Sequence, residues 1–334
     1  MASHGVALQS IHWAQLKDNW DSRLFAGFNE NNEIVCAAMV LIKRLPLGYS
    51  MYYIPRGPIA ENLEDMAELL NYIKKESKKD HCVFIKFDPY ILDHAWMPDE
   101  ERPAGHNDEA VRFLSEKTGA IHKGYTMTIE ETVQPRTNMG VNLVDDFDKK
   151  YSRSIRRKLK SAAKAGARPE MYTAADLREH PKALDEFCRL MHCTEERKDI
   201  SLRDREYFER MMNDFDGARL WLCNTDEHGY VCGMMGIGYH DKMELLYMGN
   251  DLNLANRTGA ASVLYDTAYH YAKDHGMNYA DMSGVDGHLN DGLFDHKRLY
   301  GADIREYIGE FDIPVMPLVY RAVLPLYNRR KGIS

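Results

Sequence analysis

Runs of apolar residues with strand-like or helical spacing divide the chain into two similar halves. Alternating apolar and polar positions indicate strands, and apolar residues that recur every three to four positions indicate helices. In the first half the pattern predicts strands at residues 23–28, 33–44, 50–55, 83–87 and 126–130, and helices at residues 62–79 and 108–118. In the second half it predicts strands at residues 168–172, 219–224, 230–239, 242–249 and 278–282, and helices at residues 151–165, 181–197 and 255–274.

The two halves also repeat each other in sequence. Residues 25–42 and residues 221–238 both have the pattern of a strand, a polar turn and a second strand, and Cys36 corresponds to Cys232 at an offset of 196. A period near half the chain length predicts two domains of one fold. We place the join at residues 134–142, where Pro135 and Gly140 interrupt the pattern.

The predicted order gives an α+β fold in each half, with a central mixed sheet and helices on its faces. Meander, helix and strand follow each other as in the GNAT acyltransferase fold, so we expect two tandem GNAT-like domains. Their expected extents are residues 1–138, completed by a C-terminal helix within residues 313–334, and residues 139–312. That last helix is predicted at residues 316–327.

Composition restricts the protein class and its location. The 334 residues are 44% hydrophobic, enough for two cores. No run approaches the roughly 18 apolar residues that a membrane span needs, and the N-terminus lacks a secretory pattern, so we expect a cytoplasmic monomer.

The six cysteines are expected to be buried thiols. Cys188, His192 and Cys193 lie close enough on a predicted helix to suggest metal ligands, but no fourth ligand has suitable spacing.

Charge is distributed unevenly. The net charge is -8, yet residues 149–168 carry nine positive side chains and no acid. One strongly basic helix on an acidic body is typical of a surface that binds a polyanion. The same helix has apolar residues at helical spacing, including Ile155 and Leu159, so its positive charges could instead be an ordinary solvated face.

The motifs that mark the common ATP, hydrolase, zinc-protease and nicotinamide enzymes are absent from the sequence. A GNAT enzyme that uses acetyl-CoA needs a glycine-rich turn before a helix to hold the pyrophosphate. Arg56-Gly57-Pro58 and Arg257-Thr258-Gly259-Ala260 lack the required spacing, and Pro58 removes an N–H donor. A transferase with an already activated donor and no cofactor remains, and the basic helix favours an aminoacyl-tRNA as that donor.

At the level of motifs the chain resembles the Fem family of non-ribosomal peptidyltransferases over nearly its whole length. The motifs that carry the resemblance are Gln9-x-x-x-Trp13-Ala14-x-x-Lys17-x-x-Trp20, Tyr53-x-Pro55-Arg56-Gly57-Pro58, Lys86-Phe87-Asp88-Pro89, Gln134-Pro135-Arg136-x-Asn138, Glu206-Tyr207-Phe208 and Arg305-Glu306-Tyr307-Ile308-Gly309-Glu310. The resemblance implies transfer of an amino acid from aminoacyl-tRNA to the stem peptide of a peptidoglycan precursor. Some members have a long helical arm that this chain lacks, which favours UDP-MurNAc-pentapeptide over lipid II as acceptor.

The resemblance also implies roles for particular residues. Lys17 and Arg203 match the residues that hold the acceptor's diphosphate, and Tyr207 and Tyr247 match tyrosines that bind the precursor. Lys297 matches the lysine proposed to stabilise the oxyanion of the acyl transfer. We expect tRNA to bind the basic helix through the following side chains: Arg153, Arg156, Arg157, Lys158 and Lys160.

Two other functions remain open at this point. One is a GNAT enzyme that acylates an amine from a CoA donor, and the other is a catalytically silent protein that binds tRNA or the precursor. The five implied site residues have ordinary alternatives as well. The three cations could be surface charges, and the two tyrosines could be core aromatics with one solvated edge.

Overall fold

The computed structural model describes residues 5–125, 127–198 and 203–331. Within those ranges, no helix combines the length and the apolar character that crossing a bilayer requires.

The strands are, in chain order, β1 (Asp21–Phe28), β2 (Ile34–Arg44), β3 (Ser50–Ile54), β4 (Ile59–Ala60), β5 (Cys82–Phe87), β6 (Leu92–Trp96), β7 (Ile121–His122), β8 (Thr137–Asn142), β9 (Arg168–Tyr172), β10 (Ala218–Thr225), β11 (Gly229–Tyr239), β12 (Lys242–Asn250), β13 (Tyr279–Gly284), β14 (Asp303–Tyr307) and β15 (Phe311–Pro314). The α-helices are α1 (Ile11–Leu16), α2 (Leu63–Ser77), α3 (Asp108–Thr118), α4 (Arg153–Lys164), α5 (Ala174–Glu179), α6 (Lys182–Lys198), α7 (Arg205–Asp214), α8 (Leu252–Thr258), α9 (Ala260–Asp274), α10 (Gly292–Lys297) and α11 (Pro317–Lys331).

The chain folds as two compact units. Unit 1 contains residues 1–138, 284–294 and 304–334, and unit 2 contains residues 139–283 and 295–303. The division differs from the predicted domains because residues 284–294 and 304–312 belong to unit 1. Long-range pairing explains part of this difference, since β15 pairs with β5 and β7 of unit 1.

Unit 1 is built around a sheet with the strand order β1-β2-β3-β5-β15-β7, and β4 pairs with β2. Its neighbouring strands are antiparallel except for β3 and β5, which are parallel. The buried face of α2, with Leu70 and Ile73 at its centre, packs with residues of β2, β3 and β5 in one apolar core. Asn62 begins α2 by accepting a hydrogen bond from the backbone of Asp65.

Charged residues of the family-like motifs lie buried in unit 1. The Lys86 Nζ lies 3.1 Å from a Glu310 carboxylate oxygen and 2.8 Å from an Asp312 oxygen, and all three side chains are at most 6% exposed. A second cluster joins Asp93 and Glu306 to Arg136 and Arg102. Several of these motif residues therefore hold β5, β14 and β15 in place through buried ion pairs.

Unit 2 contains a sheet in which β8, β13, β12, β11, β10 and β9 lie side by side. Helices cover both faces of its central strand β11. Gly233 faces Phe187 of α6 and Leu222 of β10, whereas Trp221, the neighbour of Leu222, packs against Tyr271 of α9 with ring centroids 5.7 Å apart. Because successive strand residues point to opposite faces, α6 and α9 lie on opposite sides of the sheet.

Two local predictions were wrong. Residues 127–130 form no strand but lie in bends and a turn, while residue 126 lies outside the described residues. The join predicted at residues 134–142 does contain the division between the two units, after Asn138, and it lies within the mostly buried strand β8. There Gly140 packs so closely against Tyr279 that a Cβ would collide with the tyrosine hydroxyl, so this glycine marks close packing rather than a linker. The helix predicted at residues 255–274 is broken at Gly259, which has a φ of 71° between α8 and α9.

The sequence pattern also missed helix α7. Asp204 begins it by accepting a hydrogen bond from the backbone of Tyr207. Its buried residues Tyr207, Phe208, Met211 and Met212 have the spacing of one helix face, so the signal was present in the sequence.

We predict that Lys86→Met destabilises the protein by about 3–5 kcal/mol, because it removes the Lys86 ammonium from the buried carboxylates of Glu310 and Asp312 and leaves Asp312 with the more distant Lys123 Nζ, at 3.6 Å. Urea unfolding of the wild type and the variant measures this difference. Lys79→Met is the control, since Lys79 pairs with Glu76 at the surface, where such a pair contributes about 0–1 kcal/mol. Equal stability changes in the two variants would contradict the importance of the buried cluster.

Candidate functional site

The sheet of unit 2 opens between two of its central strands. β12 and β13 run parallel and pair only at Lys242–Tyr279, Met243–Ala280 and Glu244–Asp281. Beyond that point β12 carries a bulge, because Tyr247 and Leu245 pair with the adjacent β11 residues Met235 and Gly236 and leave Leu246 as an extra residue. Bulges bend the strand that contains them. The end of β12 therefore diverges from β13, and we call the space between them the β12–β13 gap.

The corresponding parallel strands of unit 1 do not open in this way. β3 and β5 stay paired through Ile54 and Phe87 at their ends. Directly beyond them the buried Asp88 accepts a hydrogen bond from the backbone of Arg56, at 3.1 Å. Burial raises the pKa of Asp88 to about 7, although the nearby Arg56 guanidinium opposes this rise. Unit 1 thus keeps its parallel strands joined at the place where β12 and β13 of unit 2 part.

Lys297 lies at the mouth of the β12–β13 gap. It is the last residue of α10 and only 4% exposed, and its Nζ donates a hydrogen bond of 2.9 Å to the backbone oxygen of Ser283 at the end of β13. A buried ammonium needs a polar partner, because burial without one is costly. The Ser283 carbonyl meets that need and fixes the position of the ammonium group.

His296, the residue before Lys297, is a neutral neighbour of this site. Its ring packs against Tyr265 and Tyr300, with centroid distances of 5.5 and 5.3 Å. Burial lowers the pKa of His296 to about 4, and the positive charges of Lys158 and Lys297 lower it further. At neutral pH the imidazole therefore adds no positive charge beside Lys297.

The basic helix α4 packs next to the same segment. It contacts α8, α9 and residues 298–300, and it buries Ile155 and Ala162. Its backbone passes Gly259 so closely that a Cβ on this glycine would lie 2.7 Å from the Lys158 carbonyl oxygen. The amphipathic pattern noted in the sequence is therefore real, and the buried face of α4 attaches it beside α9 and the residues that follow Lys297.

The charges of α4 are arranged unfavourably for an isolated helix. The helix begins at Arg153 and has no acid in its first turn. Positive side chains near a helix N-terminus oppose the macrodipole. In the part of the chain that the structure describes, none of the five predicted tRNA-binding side chains forms an ion pair, and Arg153, Arg156, Arg157 and Lys160 are exposed. This arrangement would be relieved by an anionic partner.

Arg203, Tyr207 and Tyr247 form a second cluster in unit 2. The Tyr247 hydroxyl donates a hydrogen bond of 3.1 Å to the Tyr207 hydroxyl, and the Arg203 guanidinium carbon lies 5.0 Å from the Tyr207 ring centroid. Burial raises the pKa of Tyr207, so its hydroxyl keeps its proton at neutral pH. Tyr247 stands one residue beyond the bulge at Leu246, so this cluster adjoins the β12–β13 gap.

Lys17 belongs to unit 1. It ends the short helix α1, and its Nζ lies 4.6 Å from the centroid of the Trp13 ring. Gln9 fixes the start of this segment, since its side chain bonds to both the N–H and the carbonyl of Met39 and to the carbonyl of Pro55. The Gln9 and Trp13 positions of the motif therefore hold Lys17 in a defined place.

The structure thus brings four of the five implied site residues into unit 2, three in one cluster and Lys297 at the gap. Sequence reasoning missed the bulge at Leu246 and the carbonyl of Ser283. Neither leaves a clear signal in one sequence, because both depend on strand register and backbone direction.

One group of side chains has the composition of a metal site among the described residues: Asp93, His94 and His106 in unit 1. The atoms that could bind a metal already form hydrogen bonds or ion pairs with other groups. Asp93 bonds to His106 and Arg136, and the His94 Nε2 lies 2.9 Å from the carbonyl oxygen of Gly105. The Arg136 guanidinium would also repel a cation, so we assign no metal there.

Of the cysteines, Cys36, Cys82, Cys223 and Cys232 are buried, whereas Cys188 and Cys193 are only partly buried, contrary to the expectation for all six.

Comparisons with known proteins identify the family of this chain. The sequence matches the FemAB family over residues 2–234 and 224–328. It is 24% identical to a UDP-N-acetylmuramoylpentapeptide-lysine N(6)-alanyltransferase of Weissella viridescens over 95% of this chain and 91% of the relative. It is 32% identical to a lipid II:glycine glycyltransferase of Staphylococcus epidermidis over 67% of this chain, which spans 52% of that relative's length.

Solved structures confirm the fold. The structure described as that of FemX has a TM-score of 0.81 at 22% identity and covers 96% of this chain and 94% of its own. A tandem GNAT protein from the clavulanic acid biosynthesis pathway has a TM-score of 0.54 at 10% identity and covers 95% of this chain and 90% of its own. The predicted α+β class with two tandem GNAT-like domains is therefore confirmed, as is the predicted family resemblance.

We predict that the burial of His296 makes the protein less stable in mild acid. The unfolded imidazole has a pKa near 6.5 and the folded one about 4, so between these values the unfolded state binds more protons. Stability is therefore present above pH 6.5 and is lost as pH falls, by about 2 kcal/mol at pH 5.

Urea unfolding at pH 7.5 and pH 5 checks this. His296→Gln should lose less stability between the two pH values than the wild type. An unchanged pH dependence in His296→Gln would rule out the burial effect.

Proposed function

The chain belongs to the FemAB family, and we propose that it transfers an amino acid from aminoacyl-tRNA to the stem-peptide amine of a peptidoglycan precursor. As a family member it is an aminoacyltransferase, in line with the names of its curated relatives. The observation that carries the proposal is the buried ammonium of Lys297 at the mouth of the β12–β13 gap.

UDP-MurNAc-pentapeptide is the acceptor we propose. The relative named for the muramoylpentapeptide substrate is matched over 91% of its length, whereas the lipid II glycyltransferase is matched over 52%. The higher identity to the glycyltransferase, 32% against 24%, makes lipid II the second candidate. Aminoacyl-tRNA and the UDP-linked precursor are both cytoplasmic, so the proposal places the reaction in the cytoplasm.

The proposed reaction is a direct acyl transfer. The stem-peptide amine attacks the ester carbonyl of the aminoacyl-tRNA, a C–N bond forms, the ester C–O bond breaks, and the ribose oxygen leaves with the proton that the amine gives up. Negative charge collects on the carbonyl oxygen in the tetrahedral intermediate. An ammonium already fixed beside that oxygen stabilises the charge without reorganising during the reaction. Lys297 is the residue we assign to this role.

The acceptor would be held by residues that suit a diphosphate and a sugar-peptide. Arg203 presents an exposed guanidinium, which can bind phosphate oxygens through two parallel hydrogen bonds. Tyr207 and Tyr247 stand beside it, and the Tyr247 hydroxyl, whose proton goes to Tyr207, can accept a hydrogen bond from the precursor. For Lys17, which belongs to unit 1, the family resemblance alone implies a role in binding the diphosphate.

The donor tRNA would bind along α4. The exposed positive face of that helix has no ion-pair partners among the described residues, and its buried face packs beside the segment that contains Lys297. A phosphate backbone on this face would relieve the unfavourable charges at the helix N-terminus and deliver the aminoacyl end toward the β12–β13 gap.

Mass spectrometry of UDP-MurNAc-pentapeptide after incubation with a pool of charged tRNAs tests the proposal. We expect one added aminoacyl residue with the wild type, and a kcat lower by about 10²–10³-fold with Lys297→Met. Lipid II and acetyl-CoA serve as alternative acceptor and donor in parallel reactions.

The proposal fails if the wild type transfers an acetyl group from acetyl-CoA and no amino acid from tRNA. Unchanged kcat in Lys297→Met would remove that residue from the mechanism. Lys79→Met is the matched control, because Lys79 is an exposed lysine in the other unit, and we expect it to have wild-type kcat.

We predict that Arg153→Gln/Arg157→Gln weakens tRNA binding and reduces its salt dependence. Each lost phosphate contact lowers the slope of log K against log salt by about 0.7–0.9, so the double variant should lose up to about 1.8. Filter binding of charged tRNA at several salt concentrations measures this slope.

The control removes two exposed positive charges from unit 1, Lys75→Gln/Lys78→Gln. Its salt dependence should equal that of the wild type. If both double variants lose slope equally, the binding follows overall charge and not the α4 surface.

A further inference from the structure

Ser283 has a backbone conformation that is unusual for a residue with a side chain. Its φ is 66°, in the left-handed region, although it lies at the end of strand β13. Residues other than glycine adopt this conformation at a cost of the order of 1 kcal/mol, and glycine adopts it without one. A serine at this position therefore indicates that its side chain supplies something that glycine could not.

Three hydrogen bonds fix Ser283 in this conformation. Its N–H donates to an Asp281 carboxylate oxygen at 2.7 Å, and its hydroxyl donates to the Leu245 carbonyl oxygen at 2.6 Å. Its own carbonyl oxygen accepts the hydrogen bond from Lys297 at 2.9 Å. The backbone and the side chain of one residue thus connect β13, β12 and the ammonium group of Lys297.

The hydroxyl bond lies where the strands separate. Glu244 and Asp281 form the last backbone pair between β12 and β13, and Leu245 is the next residue along β12. A backbone pair would hold the strands about 4.8 Å apart. Here the Ser283 hydroxyl donates to the Leu245 carbonyl instead. Because a side chain reaches farther than a backbone N–H, this bond forms at a larger distance between the strands, and it fixes the width of the gap where the gap begins.

We propose that Ser283 is a positioning residue, which fixes the width of the gap where it begins and aims its carbonyl oxygen so that Lys297 points at the reacting ester. This inference rests on the proposed function, because it assigns to Ser283 a role in that reaction through Lys297. The left-handed backbone turns the carbonyl toward α10, and the hydroxyl bond to β12 keeps it there.

The variant Ser283→Ala removes the hydroxyl and keeps the backbone. We expect kcat to fall by about 10–100-fold, since small misplacements of a catalytic group have effects of this size. KM for the precursor should stay within about twofold, because precursor binding is assigned to other residues. Aminoacyl transfer to UDP-MurNAc-pentapeptide provides both constants.

A double-mutant cycle separates positioning from a merely structural role. In Lys297→Met the ammonium is already absent, so adding Ser283→Ala should lower kcat by less than about twofold further. If the two effects multiply, Ser283 acts independently of Lys297 and the inference is overturned.

Ser283→Gly tests the inference where Ser283→Ala folds poorly. Glycine relieves the backbone strain, so the melting temperature should equal or exceed that of Ser283→Ala, while kcat stays low because the hydroxyl is missing. Wild-type kcat in Ser283→Gly would overturn the inference.

Ser50→Ala is the matched control, because the Ser50 hydroxyl also donates to a backbone carbonyl, that of Asp80, at 2.9 Å in unit 1. We expect it to leave kcat unchanged. Failure of the proposed function would appear differently, as unchanged kcat in Lys297→Met itself.

Discussion

The separation of two parallel strands is the feature on which the chemistry of this protein depends. β12 and β13 stay together for three residue pairs and then part, because one strand has a bulge at Leu246 and the other turns at Ser283. An interior this tightly packed offers few places where a substrate carbonyl could enter between backbone strands. The parting creates such a place, and the buried ammonium of Lys297 stands at its mouth.

The two units use one strand order for different purposes. Unit 1 keeps its parallel strands paired to their ends and buries several charged motif residues in or beside them, among them Lys86, Asp88 and Glu310. Breaking a buried ion pair is strongly destabilising, so these motif residues have a structural role that is separate from catalysis. Unit 2 opens its sheet instead and attaches the basic helix α4 beside it. Duplication of one fold thus yields a unit stabilised by buried charge and a unit whose central parallel strands part.

Much of this fold could be predicted from the sequence, since hairpins such as β10–β11 and helices such as α3 depend on local pattern. The strands β14 and β15 could not, because β15 pairs with β5 more than 220 positions earlier in the chain, as the Lys86–Glu310 bond illustrates. Gly140 was misread because a glycine required by close packing resembles one that ends a segment. The site residues came from motifs, whereas the role of Ser283 depends on a backbone angle that no motif encodes.

The most direct measurement is a crystal structure of the protein with a non-hydrolysable analogue of the aminoacyl-tRNA 3′ end. The account predicts that the aminoacyl group enters the β12–β13 gap, with its carbonyl oxygen about 3 Å from the Lys297 Nζ. An aminoacyl group bound in unit 1, or a carbonyl oxygen beyond hydrogen-bonding reach of Lys297, would contradict it.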